Sequence, residues 1–212
     1  MLEADATLEK AIKESQSRQR DRRRRLLWIA STASSYALDS LFLGLFVAAG
    51  TIPASVFYTF TGGAAAICGA TFALYASGWN LRFRDQNVIG PQVAAGVAVH
   101  LMVVVLAPQI AFPALANLFT VLAFGVLWLS LRGSIVIWSL TVIATGAVLW
   151  FAGDRAGMAA SNPFEMSVSW LCFSFVLGRC LLLSVNANQM RARLADGRRK
   201  LAASLEQVQQ LA

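Results

Sequence analysis

The sequence predicts an all-α membrane protein, a bundle of six transmembrane helices followed by a cytoplasmic coiled-coil signalling helix. Of its 212 residues, 57% are hydrophobic and only 14% are charged, whereas soluble domains carry a smaller apolar share. Six apolar stretches, each long enough to cross the hydrocarbon core, lie between residues 26 and 187. Residues 188–212 are polar and carry leucines at seven-residue spacing, which is typical of a coiled coil.

Residues 1–25 form a basic segment that ends in four consecutive arginines. The chain has a net charge of +7, and its Lys and Arg residues gather at the ends of the apolar stretches, as the positive-inside rule expects of cytoplasmic segments. The charge therefore indicates membrane orientation and no nucleic-acid partner. We expect a multi-pass protein of the bacterial inner (cytoplasmic) membrane with both termini in the cytoplasm.

Turn residues and polar loops separate the six spans of this sensory domain, residues 26–187. The spans are predicted at residues 26–49, 54–77, 88–107, 113–131, 134–152 and 166–187. Gly50 and Pro53 turn the chain outside the membrane after span one, and Pro108 and Pro113 do so after span three.

Six tryptophans lie along the chain. Indoles accumulate at membrane interfaces because one end of the ring is apolar and the other forms hydrogen bonds. We therefore expect all six to belong to interfacial belts: Trp28, Trp79, Trp128, Trp138, Trp150 and Trp170.

Two segments carry a resemblance to a known family. The inner loop after span two reads Asn80-Leu81-Arg82-Phe83-Arg84-Asp85, and the last span continues through Arg191 to Leu194 and then to Leu205-Glu206-Gln207-Val208-Gln209-Gln210-Leu211-Ala212. With the six spans, they resemble the membrane input region of bacterial diguanylate cyclases with GGDEF domains.

That resemblance implies a sensory and dimerising module, attached to an output domain that makes cyclic di-GMP from two GTP. We expect the 212 residues to hold no catalytic residue, because they contain no P-loop, HExxH or GxSxG motif. The resemblance leaves the sensed signal open, and a small apolar or amphipathic ligand or the lipid bilayer itself fits the composition.

Asp39 in span one and Arg179 in span six are ionisable residues near the membrane midplane. Such residues are costly unless they are paired, protonated or next to water. One hypothesis is an Asp39–Arg179 ion pair whose making and breaking switches the output helix. The alternatives are a static pair or an arginine that snorkels to the inner headgroups.

His100 is the only histidine and lies in the middle of span three. Its alternative roles are a buried hydrogen-bonded imidazole, a pH or redox sensor and a haem ligand, with Met102 or a partner's histidine as the second axial ligand. No other metal site is predicted. Cys172 and Cys180 in span six are expected to pack in the bundle, with redox sensing as the alternative.

The C-terminal helix predicts a homodimer. Its apolar seam consists of Leu194, Leu201, Leu205 and Val208, which one chain alone leaves in water. A six-span transporter or channel subunit and a haem-binding membrane redox sensor are the alternative functions. Against the transporter, the polar midplane residues are isolated, whereas transporters carry such sites in both halves.

Overall fold

The computed structural model describes residues 29–82, 88–126, 129–155 and 162–211. Throughout these ranges the chain forms α-helices joined by short turns and 3-10 helices, without a strand. The all-helical class expected from the sequence is thereby confirmed. The helices are α1 (Ile29–Ala48), α2 (Ala54–Ala76), α3 (Ile89–Leu106), α4 (Ala111–Val126), α5 (Leu131–Ala152) and α6 (Pro163–Leu211).

Most of these helices are suited to a lipid environment. Among the described residues α1, α2, α3, α5 and the stretch Phe164–Arg198 of α6 are each long and apolar enough to cross a bilayer, and α4 belongs to a shorter apolar stretch, Pro108–Ala123. Large apolar side chains cover the outside, and Phe151 is 87% exposed. Such a surface would promote aggregation in water but is satisfied by lipid tails. The chain therefore has the architecture of a multi-pass membrane protein.

The helices form two compact units, divided after Arg82. In the first unit, α1 and α2 form a hairpin whose turn depends on Gly50, which has a φ of +72°. The N–H of Thr51 donates to the Phe46 carbonyl at 3.0 Å, and the N–H of Gly50 donates to the Val47 carbonyl at 2.9 Å. This is the Schellman arrangement, which requires a left-handed residue at the helix end.

In the second unit each helix packs mainly on two neighbours, in the cyclic order α3, α4, α6, α5. Leu129 lies against Gly90 at the start of α3 and against Gly133 at the start of α5, so these two helices begin at the same end of the bundle. Near the end of α4, Gly125 packs on Val93 of α3, so α3 and α4 are antiparallel. The unit is a four-helix bundle with one shared interior.

Two helices begin three residues earlier than the sequence predicted, because a side chain caps each of them. α5 begins at Leu131 rather than at residue 134, because Ser130 accepts a hydrogen bond from the Gly133 N–H at 3.2 Å. α6 begins at Pro163 rather than at residue 166, because the Asn162 side chain accepts from the Glu165 N–H at 2.9 Å. Both caps lie before the apolar run, so an apolar pattern alone places the starts too late.

Candidate functional site

Two tryptophans join α5 to α6. The indole N–H of Trp138 on α5 donates to the carbonyl of Ser174 at 3.3 Å. In the opposite direction, the indole N–H of Trp170 on α6 donates to the carbonyl of Val142 at 3.0 Å. The helices are antiparallel, and each tryptophan donates to a carbonyl on the other helix, four residues after the tryptophan of that helix. The two hydrogen bonds are therefore related by a local two-fold axis.

A glycine lies against each of these rings. A Cβ on Gly146 would lie 2.9 Å from Nε1 of Trp170, and a Cβ on Gly178 would lie 3.6 Å from the Trp138 ring. We call Trp138, Trp170, Gly146 and Gly178 the indole clasp. Sliding of one helix along the other would break both hydrogen bonds.

The clasp adds a packing role to two of the tryptophans. Trp138 and Trp170 are half-buried and bonded to the neighbouring helix, and their place in an interfacial belt stays a prediction. Trp79 and Trp150 are 59% and 76% exposed. Trp28 and Trp128 lie outside the described residues.

His100 is closed off inside the second unit, with 2% of its surface exposed. Its Nδ1 lies 2.8 Å from the carbonyl oxygen of Gly96. A carbonyl oxygen only accepts, so Nδ1 carries a proton, and in the neutral ring Nε2 is an acceptor. The expectation of a buried, hydrogen-bonded imidazole fits this geometry.

Met102 of the same chain is unsuited as the second axial ligand of a haem held by His100. Met102 follows His100 by two residues on one helix, and side chains at that spacing do not face each other. Within the described ranges, no group of three or more His, Cys, Asp or Glu side chains could hold a metal ion.

The interior face of α5 is polar. Ser134 and Thr145 are fully buried, and Thr141 is 2% exposed. Thr141 donates to the carbonyl of Ile137 at 2.8 Å, whereas the hydroxyl oxygens of Ser134 and Thr145 have no hydrogen-bond partner. Sequence analysis did not single out these residues, although their spacing of seven and four along one helix places them on one face.

Asp39 and Arg179 lie in different units. Asp39 is half-buried on α1 and interacts electrostatically with Tyr36, one turn earlier. Arg179 lies on the exposed side of α6, beside Gly178 of the indole clasp. Their pairing therefore stays a prediction.

The thiols of span six have different surroundings. Cys172 is exposed and Cys180 is half-buried, and neither forms a disulfide. The exposure of Cys172 differs from the packed position that we expected.

In the 3-10 helix Trp79–Arg82 that follows α2, Asn80 is buried to 1% exposure. The guanidinium of Arg82 lies 5.5 Å from the centre of the Trp79 ring, within the range of a cation–π contact. Arg84 and Asp85 lie outside the described residues.

The predicted dimer seam lies on the last part of α6. Leu194 and Leu201 are 66% and 64% exposed. The backbone at Leu205 and Val208 is helical, but the structure does not describe their side chains. On the other side of the helix, Lys200 pairs with Asp196 at 2.9 Å.

No family model matches the chain, and neither a curated protein nor a solved structure is significantly similar to it.

Proposed function

We propose that the chain is a membrane-embedded sensory and dimerisation module that relays a signal through α6 to a cytoplasmic diguanylate cyclase. One observation carries the proposal: α6 is a single helix of 49 residues, Pro163–Leu211. At 1.5 Å per residue it is roughly 70 Å long, about twice the thickness of the hydrocarbon core. A movement of its membrane part would therefore reach its polar part directly.

The indole clasp supports this role because it joins α6 to α5, and α5 packs on α3, the helix of His100. A signal that shifts α3 or α5 would then move α6 as well. In this proposal α4 and the preceding 3-10 helix Pro108–Ile110 form the sixth span, since together they are about 30 Å long. The polar end of α6 is the cytoplasmic coiled coil.

The signal enters from the membrane in this proposal. The described helices expose apolar side chains to lipid, so a small apolar or amphipathic molecule, or the state of the bilayer, can reach them. The charge distribution supports a bacterial inner-membrane location with both termini in the cytoplasm. The partners are the lipid bilayer and a second copy of the chain.

Dimerisation is expected along the seam of α6. The exposed Leu194 and Leu201 would each contribute roughly 1.5–3 kcal/mol when buried against a second copy. In a background without native cysteines, Leu201→Cys should cross-link two chains under mild oxidation. Asp196→Cys, on the other side of the same helix, is the matched control. Equal cross-linking at both positions, or stronger cross-linking at Asp196, would reject this seam.

Asp39 and Arg179 are expected to set the output of the module. With a diguanylate cyclase domain attached after residue 212, Asp39→Asn and Arg179→Gln should each change basal cyclic di-GMP production, since each alters a charge at a costly depth. If the two residues pair, the double variant should restore part of the loss. The readout is cyclic di-GMP per unit of protein in membranes. Unchanged output from both single variants, at normal membrane levels, would place the switch elsewhere.

A further inference from the structure

Several serine and threonine hydroxyls on the helices donate a hydrogen bond to the backbone carbonyl four residues earlier. These residues are Thr59, Thr71, Thr141, Ser174 and Ser204. This local bond satisfies a hydroxyl wherever lipid or an apolar core surrounds the helix. Thr145 lies one turn after Thr141 on the same helix, and its oxygen has no partner.

Burying a hydroxyl oxygen without a hydrogen-bond partner costs free energy. Thr145 and Ser134 are 0% exposed, so solvent outside the bundle does not reach them, and lipid tails offer no hydrogen bond. A buried polar group without a partner loses its full hydration free energy. Native structures rarely leave such a group unsatisfied, and an internal water molecule is the common solution where other polar groups lie nearby.

α3, the helix that packs on α5, also carries buried polar side chains. The helices α3 and α5 are neighbours that begin at the same end of the bundle. Measured from the first residue of each helix, His100 lies roughly 16 Å along α3, and Thr141 and Thr145 lie about 15 and 21 Å along α5. Nearer the helix starts, buried Gln92 on α3 is level with Ser134.

We propose that the interior of the second unit binds water on the polar face of α5, with one site at Thr145 and a second at Ser134. This inference goes beyond the proposed signalling function and does not depend on an output domain. The sites would hydrate the interior beside His100, at a depth where lipid surrounds the outside of the bundle.

The test compares Thr145→Val with Thr141→Val. Each variant replaces a hydroxyl by a methyl group of similar shape, but only Thr145 is assigned a bound water. Infrared spectra of the purified protein are recorded in D₂O and in D₂¹⁸O. The difference between wild type and Thr145→Val should contain an O–D band that shifts with the heavier solvent oxygen, because that oxygen belongs to water and not to threonine. The difference for Thr141→Val should contain no such band.

Stability gives a second readout. Loss of a bound water should make the Tm of Thr145→Val about 2–4 °C lower than that of the wild type. A Thr145→Val variant that is as stable as the wild type, or more stable, would mean that the Thr145 hydroxyl binds no water and would overturn the site. A spectrum without the ¹⁸O-sensitive band would overturn it equally.

Ser134→Ala keeps the proposal testable if Thr145→Val does not fold. Its difference spectrum should contain its own ¹⁸O-sensitive band, because the Ser134 oxygen is buried and unpartnered in the same way. Thr145→Ser retains the hydroxyl and should retain the wild-type band. If Ser134→Ala removes no such band, the proposal fails for the whole face of α5.

Discussion

Trp170→Ala is expected to lower the free energy of unfolding by about 3 kcal/mol, the magnitude seen when large aromatic side chains are removed from packed positions. The substitution removes the hydrogen bond from the indole to the Val142 carbonyl. It also removes the ring that lies against Gly146 and leaves a cavity between α5 and α6. Trp138→Ala should have a similar effect, because its contacts with Ser174 and Gly178 repeat the arrangement.

The measurement is unfolding of the purified protein in mixed micelles of increasing SDS fraction, followed by far-ultraviolet circular dichroism. Trp150→Ala is the matched control, since this indole lies on α5 but is 76% exposed; its loss should cost under about 0.5 kcal/mol. Trp170→Phe should lie between the two, because a hydrogen bond between membrane helices contributes on average about 0.6 kcal/mol. Equal effects of Trp150→Ala and Trp170→Ala would show that the clasp does not hold α5 and α6 together.

Gly146→Ala is expected to destabilise the protein by about 1–3 kcal/mol, the usual cost of overpacking. The added methyl carbon would lie 2.9 Å from Nε1 and 3.0 Å from Cε2 of Trp170. A flexible side chain could move away from this contact, but the indole is rigid and is bonded to Val142. Relief therefore requires either a broken hydrogen bond or a wider separation of α5 and α6.

Two other glycines serve as controls for Gly146→Ala. At Gly178 the added carbon would lie at an ordinary contact distance of 3.6 Å, and at Gly62 nothing lies within 4 Å. Alanine at these positions should be neutral or slightly stabilising, because it favours the helix more than glycine does. The same SDS titration applies. Trp170→Phe should lessen the effect of Gly146→Ala, so purely additive losses would contradict the predicted contact.

The sequence carries a signal for the clasp that composition and hydropathy do not reveal. In both helices a glycine follows the tryptophan by eight residues, as Trp138 to Gly146 and as Trp170 to Gly178. In an antiparallel pair with two-fold symmetry this spacing is equal on both helices, because each ring lies against the glycine of the other helix. The spacing becomes informative only once α5 and α6 are known to be neighbours.

The sequence by itself determined that the chain is helical and suited to the membrane, and approximately where its apolar helices begin and end. These properties are local, because the transfer of a helix into lipid depends on the composition of about 20 consecutive residues. Turn residues such as Gly50 and Pro53 also act locally. The polar continuation of α6 could be recognised for the same reason.

Only the tertiary structure decided which helix faces meet. It placed Trp138 and Trp170 between helices, enclosed His100, turned the hydroxyls of Thr145 and Ser134 into the bundle, and left Arg179 on the exposed side of α6. The physical reason is the solvent. In water an apolar stripe identifies the buried face of a helix, but lipid tails are as apolar as a leucine core, so an apolar side chain of a span can face either the lipid or the bundle interior.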